Sequence, residues 1–65
     1  MTLSDWLDRL DESTNVAVLD WYSGREVGRY DGRNSIDICY ADCEVMKASV
    51  DVSEGVLLIY IDAAL

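Results

Sequence analysis

The chain has 65 residues, with thirteen carboxylates against five lysines and arginines, a net charge of −8, and no histidine, proline or phenylalanine. That length allows one domain (residues 1–65) with a thin stability margin, and an apolar fraction of 51% belongs to a folded chain rather than a disordered one. The acid excess disfavours direct binding to nucleic acid or anionic membranes. No apolar run exceeds the six residues Val56 to Ile61, far short of a bilayer span.

The opening residues Met1 to Asp5 lack the positive start and apolar stretch of a signal peptide, so a cytoplasmic location is expected. Leu3, Trp6, Leu7 and Leu10 share one helical face, which predicts a helix over residues 3–11. Thr2 is its expected N-cap, with Asp5 completing a variant capping box. The polar stretch Asp11 to Asn15 ends it.

Residues 16–22 read as a β-branched and aromatic strand, and Ser23-Gly24 as a two-residue turn. Glu26 to Tyr30 reads as the returning strand. That register sets Asp20 opposite Val27 and diagonally between Arg25 and Arg29. Asp31 to Asn34 has turn chemistry. Ser35 to Asp42 has no clean period and is expected to be irregular, with a helical turn near 37–41. Residues 43–52 alternate as a third strand, Ser53-Glu54-Gly55 turns, and Val56 to Ile61 forms a fourth strand, apolar on both sides and therefore central.

The expected fold class is α+β, with the N-terminal helix packed on one face of a four-stranded antiparallel sheet. Strands one and four are expected in the centre, because Arg25, Gly28 and Arg29 suit the second to an edge. The helix face is expected to meet Ala17, Leu19, Trp21, Leu57, Ile59 and Ile61. Val16, Val18, Tyr22, Leu58 and Tyr60, with Val27 and Val45, then line an uncovered face fit for docking or for a homodimer. A one-residue slip in any strand would reverse this partition.

The run Asp20-Trp21-Tyr22-Ser23-Gly24-Arg25-Glu26, then Tyr30-Asp31-Gly32, then the two closing strands, resembles small acidic proteins encoded by phages and prophages. The resemblance spans nearly the whole chain as a pattern and carries no catalytic motif. It implies a protein that acts by binding a host or phage machine, for example as an anti-CRISPR-like inhibitor of host defence.

Chemistry is sparse. Without an imidazole, neither a serine nor a cysteine triad can be built, and no enzyme activity is expected. Cys39 and Cys43 offer two thiolates where a structural zinc site needs four N or S ligands, so they read as reduced, space-filling thiols. Asp31, Asn34, Ser35 and Asp37 match a calcium loop poorly, since Arg33 takes a ligand position. Asp5, Asp8 and Glu12 share a helix face without a sugar-sized cleft. No metal or cofactor is expected.

What remains is the acid itself. Asp5, Asp8, Asp11 and Glu12 form one cluster, and Asp37, Asp42 and Glu44 a second. One reading is solubility. The other is a carboxylate array that imitates phosphates and occupies the Lys/Arg-rich groove of a basic protein or nucleic-acid-handling complex. The alternative class is a structural or assembly module that dimerises or docks through the uncovered sheet face.

Overall fold

The structure, a computed structural model, describes residues 1–63. The chain opens with a short helix, α1 (Leu3–Leu7), and continues through β1 (Asn15–Asp20), β2 (Glu26–Asp31), two 3-10 turns (Arg33–Ser35 and Ile38–Tyr40), β3 (Val45–Asp51) and β4 (Val56–Ile61).

The expected capping box starts α1. The Thr2 hydroxyl accepts from the Asp5 backbone N–H (3.3 Å), and the Asp5 carboxylate accepts from the Thr2 N–H (3.2 Å). The helix is far shorter than residues 3–11. Arg9 and Leu10 donate to the carbonyls three residues back, so the last turn tightens away from α geometry. Arg33 Nη1 donates to the Leu7 carbonyl at 2.7 Å and takes up an acceptor at the helix end. Leu10 still packs on the core, which is why the apolar spacing overstates the helix.

The sheet order is β2-β1-β4-β3, with β1 and β4 central as expected. It is mixed rather than antiparallel. β1–β2 and β3–β4 are antiparallel hairpins, but β1 and β4 run parallel, with Val16 beside Leu57 and Val18 beside Ile59. The cause is the route of residues 32–44. β2 ends beside Asn15 and β3 begins beside Ile61, so this segment crosses the length of the sheet, as a crossover between parallel strands requires.

The first hairpin also differs from expectation. β1 stops at Asp20, whose carboxylate accepts from the Ser23 N–H (3.0 Å) and hydroxyl (2.7 Å), while Gly24, at φ +73°, donates to the Asp20 carbonyl. This longer loop replaces the two-residue turn, and a bulge then sets Leu19 against Glu26. Asp20 therefore faces the turn, and Arg29 pairs instead with Glu26 (3.0 Å) and Glu54 (3.3 Å).

One face of the sheet is covered jointly by α1 with its following loop and by the 32–44 crossover. Backbone bonds stitch the two covering segments together: Leu3 to Cys43 (2.8 Å), Ser4 to Ala41 (2.9 Å) and Arg33 to Glu12 (3.3 Å). Beneath them Leu3, Val16, Val18, Ile59 and Ile61 are fully buried, with Leu7, Leu10, Tyr30, Ile36, Tyr40 and Cys43 packed around them. Tyr30 lies across Gly28, where a Cβ would strike its ring.

Val16 and Val18 thus belong to the core and not to a docking face, Val27 and Val45 pack against that core rather than lining the uncovered face, and Ala17 and Leu19 occupy the open side. Residues 16–19 are apolar in both phases, so alternation could not choose between them. Trp21 suggested the wrong phase. It lies outside β1 and stacks edge-on against Tyr60 at 5.9 Å.

Candidate functional site

The candidate site is the outer surface of the cover. Asp5, Asp8, Asp11 and Glu12 come from α1 and its loop, and Asp37, Asp42 and Glu44 from the crossover. All seven are exposed. Because Ser4 bonds Ala41 and Arg33 bonds Glu12, two clusters far apart in sequence share one layer. The cover (residues 1–14 and 32–44) holds seven of the thirteen carboxylates and only two side-chain cations, Arg9 and Arg33. Arg33 is spent within the fold, on the Leu7 carbonyl and at 3.6 Å from Glu12. The terminal amine pairs with Glu44 at 2.8 Å.

Local bonds keep part of this surface ionised. The Thr2 backbone N–H, then its hydroxyl, hold the Asp5 carboxyl below its ordinary value. The Ser13 backbone N–H and hydroxyl do the same for Asp11. These are fixed anions rather than groups poised to exchange protons near neutrality.

The open sheet face differs in kind. Register places Ala17, Leu19, Leu58, Tyr60, Arg29 and Lys47 there. Ala17 is fully buried, while Leu58 and Tyr60 are half-buried. Lys47 Nζ lies 5.9 Å from the Tyr60 ring centroid, and Arg29 is engaged by Glu26 and Glu54. Of the expected docking residues, Leu58 and Tyr60 are on this face, and Tyr22 projects from the β1–β2 loop, 70% exposed. Leu19 and Trp21, expected beneath the helix, lie beside Tyr60 instead, and Lys47 is a neighbour that the sequence did not single out. The apolar phase of β4 and the aromatic Trp21 were the only signals for this grouping.

Other candidate sites do not assemble. A shallow, open depression is lined by Glu12, Ser13, Asp31, Gly32, Asn34 and Ser35, which includes three of the residues weighed for calcium but not Asp37. Among the described residues no group of three or more acidic or cysteine side chains is placed to hold a metal. Cys39 is exposed, Cys43 is half-buried, and both are free. Cys43 packs on the core, and burial pushes its thiol up, so the space-filling role fits Cys43 alone. No helix among the described residues is long and apolar enough to cross a membrane. Compared with family models, with curated proteins and with solved structures, the chain has no match in any of the three.

Proposed function

We propose that this protein is an acidic binding module whose cover occupies a basic groove in a protein partner, in the manner of a nucleic-acid mimic that inhibits a host defence or nucleic-acid-handling complex. One observation carries the reading: the fold gathers seven exposed carboxylates from two distant segments onto one layer, and it engages Arg33 internally. If the charges served solubility alone, they would need no such sorting, because net charge acts wherever it sits. Docking through the open sheet face is the lesser reading, since Arg29 and Lys47 already lie over that side.

The test uses immobilised protein to capture partners from a lysate of the host cell, followed by elution with duplex DNA. Partners held by the acidic layer elute with DNA and with moderate salt. The variant D5N/D8N/D11N/E12Q keeps the capping acceptors and loses affinity by roughly tenfold or more. Capture that resists both DNA and salt, and survives this variant, overturns the mimicry reading.

A further inference from the structure

We propose that β3 is a self-complementary edge and that two copies of this chain join there in antiparallel register about Ser49, forming one continuous sheet. This edge is distinct from both the open face and the acidic surface of the cover. β3 ends the sheet order, and an edge strand presents backbone groups to whatever can pair with them. One end of that edge is already taken: Val45 donates to the Met1 carbonyl, Leu3 donates to Cys43, and Thr2 bridges Glu44. A bulge follows between Val45 and Lys47. At the other end the chain turns after Asp51. The regular free stretch is therefore Lys47–Asp51, and its midpoint is Ser49.

The sequence of this stretch suits pairing with itself. An antiparallel pair centred on Ser49 puts Lys47 of each copy opposite Asp51 of the other, Ala48 opposite Val50, and the two small Ser49 side chains together on the axis. Lys47 is exposed and has no carboxylate partner within ion-pair distance among the described residues. Asp51 takes its three turn hydrogen bonds on Oδ1. Val50, 64% exposed, gains cover from Ala48 of the other copy. The lysine and the bulge are features that deter arbitrary edge pairing, and a strand offering a carboxylate opposite Lys47 is the one they admit. The other edge, β2, carries Glu26, Arg29 and Asp31 and is bulged beside Val27, with no such symmetry. In-plane pairing keeps like faces together, so both acidic covers would lie on the same side of the joined sheet.

Sedimentation velocity over a concentration series up to millimolar tests this. Wild type is expected to show a monomer–dimer equilibrium. K47D, which sets like charges opposite each other twice, weakens the dimer by about tenfold or more, and D51K does the same. Mixing K47D with D51K restores both opposite-charge pairs and yields a heterodimer. S49R, which brings two arginines together on the axis and leaves the turn intact, abolishes the dimer and keeps the test decisive if D51K fails to fold. A wild type that stays monomeric, a dimer indifferent to K47D and S49R, or folded variants that do not associate when mixed would each overturn the proposal.

Discussion

The two sides of this sheet are built from the same kinds of strand residue yet are stabilised by different means. The covered side is dry: Val16, Val18, Ile59 and Ile61 are completely shielded by segments with little regular structure, held together by bonds such as Leu3 to Cys43. The open side is amphipathic, with aliphatic and aromatic carbon lying among lysine and arginine stems. Irregular backbone can shield a core as well as a long helix does, provided its polar groups are paired, and it leaves an outer surface free to collect charge. The sheet's free face carries Lys47 and an Arg29 already paired with Glu26 and Glu54, whereas the cover carries seven exposed carboxylates against Arg9 and Arg33.

Substitutions on opposite faces of adjacent strands break that contrast most strongly. V18D buries a charge beneath the cover and should cost roughly 3–5 kcal/mol, enough to unfold a domain of this size. L58D, on the half-buried open side, should cost about 1–2 kcal/mol and leave a folded protein. Circular dichroism with urea titration separates the two, and equal losses would show that the faces are energetically alike. A smaller effect is expected at the stitch. R33A removes the bond to the Leu7 carbonyl and the Glu12 pair, for about 1–2 kcal/mol. Amide exchange should rise in residues 7–14 before it rises in β1.

The smallest effect near neutrality is that of pH. The carboxyls of Asp5, Asp11, Asp20 and Asp51 are all held below the ordinary value of 3.8, by Thr2, Ser13, the Ser23 hydroxyl and the Ser53 hydroxyl respectively. A folded value below the unfolded one adds stability that is complete above 3.8 and disappears as pH falls through the lowered values. Thermal melting should therefore be flat with respect to these groups between neutrality and about pH 5, and decline below about pH 4. A decline that begins near pH 6 would point to other groups.

Local chemistry was the legible part of this fold. The Thr2–Asp5 cap, the existence of each strand and the central placement of β1 and β4 follow from residue types alone. The phase of β1 was not legible, because Val16-Ala17-Val18-Leu19 offers carbon to both sides and only the cover decides between them. The parallel relation of β1 and β4 depends on where residues 35–42 lead, and a stretch without a period does not encode a direction. The acidic residues were visible individually. Their convergence was not, since it depends on the Ser4–Ala41 and Arg33–Glu12 bonds between segments that propensity treats separately.

The parallel alignment of β1 and β4 also bears on how the chain reaches this state. Each hairpin closes over a short span, but Val16 finds Leu57 only after the 40 residues between them have been drawn into a ring. Local ribbons of this sort form within about 1–10 μs, whereas a distant pairing must first overcome the entropy of gathering everything between. The slow event is therefore expected to be the marriage of two preformed halves. Lengthening the 32–44 connection with a flexible insert is expected to slow that union, and a change to either turn is expected to act on its own hairpin.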